Sequence, residues 1–369
     1  MAANFNLRFG EDVPEEGRKA TIAQAEALIQ SLLHDESEKR RAVSIISSLG
    51  GDFMFHFFDP KTTEMILNPD GTLWHEKLAS PMTKFGRLDK FDAKKVLGLV
   101  ADYSGKTVDA NSPMLSANFP LDGSRFQGYV PPAVHQASFI LRKKARAIFT
   151  LDDYVRTGGL NETQLKEIHT AVVNRKNILI VGGTGTGKTT LMNAIIEDIS
   201  KTHPNNRILT IEDTEELQVS SANKLSLLTT PSLTMDDLIK GALRSRPDHI
   251  LVGEVRGKEA LSVLDAWSTG HPGGAATIHA NSALEGLDHL AGLVTRHDDA
   301  PPYNEILKLV GTAVDLVVHI ARLNGKRKVH SVLYVDSYDR KNECFLYRQH
   351  FADGRVEGNL LSTSVGENS

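Results

Sequence analysis

The sequence predicts a two-domain protein, a smaller α+β domain followed by an α/β domain built on a mostly parallel sheet. Three observations carry that prediction. The chain has 369 residues, more than one small domain needs. Beyond about residue 150, strands begin to alternate with helices, the pattern of parallel sheets. A glycine-rich turn ending at Lys188 then separates an apolar strand from an amphipathic helix.

The elements follow in order. From Glu15 to His34, Ile22, Ala25, Ile29, Leu32 and Leu33 recur at helical spacing. The charged stretch Asp35 to Arg41 separates this helix from a second one through Ile45 and Ile46. Met54 to Lys77 reads as a hairpin, with Glu64 to Leu67 and Thr72 to Trp74 joined at Asn68-Pro69-Asp70-Gly71. Proline presets φ at the second position of such a turn and glycine accepts positive φ at the last. Phe91 to Tyr103 reads as a helix, and Ser116 to Lys144 returns to strand and turn. Residues 1–150 therefore form the first domain, and the linker is expected at Leu151 to Asn161, around Gly158-Gly159.

The second domain, 151–369, is expected to place strands at Asn177–Val181, Arg207–Ile211 and His249–Val252. Its helices are expected at Thr189–Lys201, Met235–Leu243 and Glu259–Trp267. Leu316–Ala321 and Lys328–Val335 flank Asn324-Gly325, a hairpin signal. Leu361 to Ser369 reads as a loose tail.

Composition narrows the classes. About two fifths of the residues are apolar, enough for hydrophobic cores. The formal net charge is −4, which does not suggest a protein that coats nucleic acid. Arg142-Lys143-Lys144 and Lys326-Arg327-Lys328 are short basic runs that read as solvated charge, so direct nucleic-acid binding is not indicated. Cys344 is the one cysteine. It excludes internal disulfides and multi-thiolate zinc sites, fits a reducing cytosol, and reads as an inert core thiol. No segment approaches the roughly 20 apolar residues of a membrane span, and Met1 to Gly10 lacks the apolar core of a signal peptide. The expectation is a soluble, cytoplasmic protein that reaches a membrane face through partners.

The chemistry begins at Gly182-Gly183-Thr184-Gly185-Thr186-Gly187-Lys188-Thr189, which satisfies G-x-x-x-x-G-K-[ST]. Glycines let consecutive N–H groups converge on phosphate oxygens, and the following helix adds its positive end. Gly183 to Thr190 is thus the expected nucleotide cradle. Lys188 is expected on the β- and γ-phosphates and the Thr189 hydroxyl on Mg²⁺. No Asn-Lys-x-Asp segment that would read guanine is present, so ATP is the expected nucleotide.

Two later strands end in acidic residues, where ligands bind in such sheets. Ile208 to Ile211 leads into Glu212-Asp213-Thr214-Glu215-Glu216, and His249 to Val252 leads into Gly253-Glu254-Val255-Arg256. Gly253 stands where a metal-linked Asp is usual, which makes Glu254 the candidate for orienting water and for a water-mediated Mg²⁺ contact. Glu212 and Glu215 are candidates to assist. Gly270 to Asn281 contributes His271 and His279. A zinc pair is a poor reading, because no second thiolate or acidic ligand lies at suitable spacing. From the residues alone His279 is either a γ-phosphate sensor or a buried, hydrogen-bonded histidine.

Together the phosphate loop, the acidic box, the atypical Walker B strand and the histidine box resemble the secretion-ATPase superfamily. Leu243-Arg244-Ser245-Arg246-Pro247-Asp248 leading into Gly253-Glu254-Val255-Arg256-Gly257 is specific to that pattern. The resemblance implies a RecA-like core, an N-terminal domain that closes over ATP, and a hexameric ring. Glu64 to Trp74, Asp122-Gly123-Ser124-Arg125 and Phe139 to Arg142 are similar to the type IV secretion and conjugal-transfer (VirB/Trb-type) branch. That branch implies that Arg125 and Arg142 approach the phosphates from the N-terminal domain, and that channel proteins at the inner face of the bacterial inner membrane are the partners. A pilus assembly or retraction motor is the runner-up, and a RecA-like nucleic-acid translocase comes after it.

Overall fold

A computed structural model describes residues 23, 26, 35–77, 80–143, 149–230, 232–323 and 325–359. The expected helix at Glu15–His34, the tail from Leu361, Lys144, Arg146 and Asn324 lie outside these residues, except for Ala23 and Glu26 within the helix. The chain divides into two compact units, Met1–Ala147 and Ile148–Ser369.

The first unit begins with α1 (Glu36–Phe58), whose N-cap Asp35 accepts the free N–H groups of Ser37 and Glu38. The element is kinked at Gly50, which has φ +79° and ψ 170°, and its second helical segment covers Met54 to Phe58, where the sequence predicts the start of the hairpin. Phe53, Met54 and Phe57 are fully buried on its inner side, so core packing overrides the weaker helix preference of aromatic residues. β1 (Thr62–Leu67) and β2 (Thr72–Lys77) form the expected hairpin, with Gly71 at φ +81°. β3 (Thr83–Arg87), α2 (Lys90–Tyr103), β4 (Met114–Asn118), β5 (Arg125–Tyr129) and β6 (Ser138–Arg142) complete it.

The strands pair antiparallel in the order β3-β2-β1-β6-β5-β4. α1 and α2 share their core with this sheet, around Phe53, Phe57, Phe119, Phe126 and Phe139. Each buried Phe contributes about 1.5–3 kcal/mol of transfer free energy. Lys143, expected as solvated charge, is instead buried. Its ammonium donates to the carbonyls of Phe57 and Asp59 and sits over the Phe57 ring. These carbonyls lie at the end of α1, where a cation completes groups the helix leaves open.

The second unit opens with α3 (Leu151–Arg156) and α4 (Glu162–Val173), where a linker was expected. Thr150 and Asn161 each form a capping box, with Asp153 and Gln164 respectively. These reciprocal bonds start two helices inside a polar segment that reads as loop. Gly158-Gly159 is only the turn between them.

The remaining elements are β7 (Ile178–Val181), α5 (Lys188–Thr202), β8 (Ile208–Glu212), β9 (Lys224–Leu228), α6 (Met235–Ala242) and β10 (His249–Val252). α7 (Ala260–Ser268), β11 (Ala275–Ile278), α8 (Ala283–Val294), α9 (Tyr303–Ala313), β12 (Leu316–Leu323), β13 (Lys326–Asp339), β14 (Cys344–Phe351) and β15 (Val356–Gly358) follow. The sheet order is β15-β14-β13-β12-β7-β11-β10-β8-β9. Pairing is parallel from β12 to β9 and antiparallel from β12 to β15.

Every residue of β7, β10 and β11 is buried, as parallel strands covered on both faces require. α6 to α9 pack on one face and α3 to α5 on the other. This doubly covered sheet aims the C-terminal ends of β7, β8, β10 and β11 at one rim. Cys344 starts β14 and is half-buried rather than in the core.

Candidate active site

The phosphate loop leaves β7 through Gly182, which has no room for a side chain. A Cβ there would lie 2.4 Å from the Ile320 carbonyl oxygen and 2.7 Å from Thr186 Oγ1. Gly185 and Gly187 hold φ of +69° and +98°, values that L side chains rarely adopt. Thr186 closes the turn by donating to the Gly183 carbonyl at 2.9 Å. Gly187 is the N-cap of α5 and brings no side-chain acceptor. The first N–H groups of α5 are therefore left for an anion. Thr184 and Gly185 are exposed, and Thr189 and Thr190 stand half-buried in the first helical turn.

Lys188 folds back into this loop. Its Nζ donates to the carbonyls of Gly182 at 3.0 Å and Gly183 at 3.2 Å. It also lies 3.3 Å from both ring nitrogens of His279. Residue 279 follows β11 directly, next to β7, and its Nε2 is 2.7 Å from Glu254 Oε1. That approach to Glu254 is an ion-pair distance without hydrogen-bond geometry, and the Lys188 ammonium stands equally near both ring nitrogens. Burial first, and then the Lys188 charge, hold the His279 pKa below its ordinary value.

Glu254 follows β10, and its second oxygen meets Arg256, which reaches Asp213 Oδ2 at 3.3 Å. Thr277 Oγ1 donates to the Gly253 carbonyl at 2.7 Å, which laces this loop to β11. Lys188, His279, Glu254, Arg256 and Asp213 thus form one continuous chain of contacts. Arg256 was not among the expected site residues, although its place two positions after Glu254 was the available signal.

Glu212 ends β8 almost fully buried, with 3% of its surface exposed. Its Oε1 accepts from the N–H groups of Glu216 and Leu217, both at 2.9 Å, and no partner reaches Oε2. Burial pushes its pKa from 4.5 up to about 7; those two N–H bonds oppose the rise, and the nearby Glu216 and Glu215 charges add to it. Glu215 lies half-buried in the following loop. His271 and His279 sit beyond opposite ends of β11. At about 3.3 Å per strand residue they are too far apart to share a zinc ion.

Arg125 and Arg142 belong to the first unit. There they are direct cross-strand partners between β5 and β6, with Glu64 of β1 next in register beside Arg142. The opposite flank of the phosphate loop carries another residue that sequence reasoning missed. Arg322, near the end of β12, donates from Nη2 to the Gly185 carbonyl at 3.3 Å.

The described helices include none long and apolar enough to cross a membrane. The family model "Type II/IV secretion system protein" matches residues 104–360. A probable conjugal transfer protein TrbB of Sinorhizobium fredii is 39% identical over 87% of this chain and 94% of its own length. The type IV secretion system protein PtlH of Bordetella pertussis is 32% identical over 74% of this chain and 90% of its own. Among solved structures, the pilus retraction motor PilT with bound ADP shares the fold, with a TM-score of 0.54 at 19% identity over 79% of each chain.

Proposed function

The chain belongs to the type II/IV secretion system protein family, and we propose that it is the ATP-hydrolysing motor of a type IV secretion or conjugal DNA-transfer system. The observation that carries the reading is the contact chain from Lys188 through His279 to Glu254, closed beside a phosphate loop whose helix N-terminus is uncapped. The relatives that match nearly their whole length are named for conjugal transfer and type IV secretion. The pilus motor shares the fold alone.

In the mechanism, the N–H groups from Gly183 to Thr190 hold the phosphates and Lys188 exchanges its loop carbonyls for the β- and γ-oxygens. His279 loses its Lys188 contact in that exchange and turns toward the γ-phosphate. Glu254, held by His279 on one oxygen and Arg256 on the other, orients the attacking water. Glu212 and Glu215 place further carboxylate beside it. Thr189 and Glu254 offer hard oxygen donors that fit Mg²⁺. Bound there, the ion would neutralise phosphate charge.

Arg125 and Arg142 serve the nucleotide from the first unit in this reading. Two arginines directly opposite each other cost stability that an anion would recover. A homo-oligomeric, hexameric ring then couples closure of the first unit to channel proteins at the cytoplasmic face of the inner membrane.

The test is Mg²⁺-dependent ATP hydrolysis across a wide range of protein concentration, with Lys188→Ala as the blank. A specific rate that climbs and levels off is expected of a ring that completes its sites on assembly. Glu254→Gln should lose on the order of 10²-fold or more in kcat. Parent-level hydrolysis by that variant would remove Glu254 from the mechanism.

A further inference from the structure

The strand order decides which way a nucleotide lies. The phosphate loop follows β7. On one side of β7 are β11 and β10, which lead into His279 and Glu254; on the other are β12 and β13. Hydrolysis needs the γ-phosphate on the His279 and Glu254 side. The α-phosphate and nucleoside must then run the opposite way, toward the end of the β12–β13 hairpin.

That hairpin end is cationic and already touches the loop. Arg322 reaches the Gly185 carbonyl, and a Cβ placed on Gly187 would sit 3.4 Å from Arg327 Cδ. Arg322 and Arg327 are also direct cross-strand partners. Both are exposed, and among the described residues no carboxylate lies within ion-pair distance of either. Two unpaired like charges facing each other beside a phosphate site oppose pairing of the hairpin. A bound anion would reverse the sign of that term.

We propose that the β12–β13 hairpin is the nucleoside-side wall of the nucleotide site, with Arg322 on the α-phosphate and Arg327 over the ribose and base. A guanidinium suits both tasks, since its planar fork pairs with phosphate oxygens and its face stacks on an aromatic ring. The inference rests on the ATPase reading of the same site and adds the part of the ligand that the phosphate-loop motif does not read.

The experiment measures binding to the full chain of ATP and of inorganic pyrophosphate, which lacks a nucleoside end. Arg322→Ala and Arg327→Ala should each weaken ATP about tenfold, about 1.4 kcal/mol, and leave pyrophosphate within about twofold. Arg322→Lys should recover part of the ATP loss, because it keeps the charge and loses the fork. Equal losses for both ligands would mean that the hairpin only braces the loop, and would overturn the proposal. So would unchanged ATP binding in both alanine variants. Failure of the parent to bind ATP in a Lys188-dependent way would instead sink the ATPase reading itself.

Discussion

Glu212→Gln should make the second unit more stable and less active at the same time. The carboxylate is buried, its Oε2 has no partner, and its pKa rises from 4.5 to about 7. At 1.36 kcal/mol per pKa unit, holding it ionised above pH 7 costs about 3 kcal/mol. The sign follows from proton binding. The folded state holds this proton more tightly than the unfolded state, so the stability linked to Glu212 is fully present below about pH 4.5 and is lost as pH rises to about 7.

Glutamine keeps an oxygen for the N–H groups of Glu216 and Leu217 and removes the charge. At pH 8 the gain should approach about 3 kcal/mol, or about 6–12 °C in the melting midpoint of a unit this size. At pH 4.5 it should vanish. The assay is denaturant unfolding of the nucleotide-free protein at pH 4.5, 6 and 8, alongside ATP hydrolysis. A constant gap between variant and parent across that range would refute the buried-charge argument. Full hydrolysis by the variant would refute the catalytic one.

Gly182→Ala should abolish nucleotide binding and cost about 1–3 kcal/mol by overpacking, because the added methyl meets a backbone carbonyl 2.4 Å away; wild-type affinity in a titration would contradict this. His249 and His319 have pKa values depressed from 6.5 to about 4, chiefly by burial. Their contribution is complete above pH 6.5 and lost toward pH 4, so His249→Gln should flatten the acid limb of an unfolding profile, and an unchanged limb would count against it. Arg256→Ala should lower kcat by about tenfold or more with little change in KM, since it frees an oxygen of Glu254. A rise in KM alone would reassign Arg256 to binding.

The parts of the site carried by adjacent residues were legible in the sequence. Gly182 to Thr189 announces itself because one turn supplies the whole phosphate cradle. Glu254 stands out in the sequence because two strands downstream of the phosphate loop end in acidic residues, and the fold sets it 2.7 Å from His279. What was missed depends on distant residues. Arg322 and Gly185 are 137 positions apart, and they meet because β12 pairs in parallel beside β7. α8 escaped notice because Gly286 and Gly292 weaken its helical signal. Gly286 is nevertheless required, since a Cβ there would lie 2.5 Å from Val181 Cγ1. Residues 151–161 read as linker because capping boxes use the same polar residues as loops.

Gly253 shows how a departure from a motif becomes intelligible in the sheet. Read along the chain, it is a missing aspartate at the end of β10. In the fold, β8 runs parallel beside β10, with Ile211 paired to Val252. Glu212 and Gly253 therefore stand side by side at the rim. A Cβ on Gly253 would lie 3.0 Å from Glu212 Cγ and 3.4 Å from Oε1. Any side chain at 253 would press on the buried carboxylate that the Glu216 and Leu217 N–H groups hold in place. The glycine is thus the condition for Glu212 to sit where it does. The carboxyl group that β10 lacks at 253 stands on the neighbouring strand, one position beyond the paired residues.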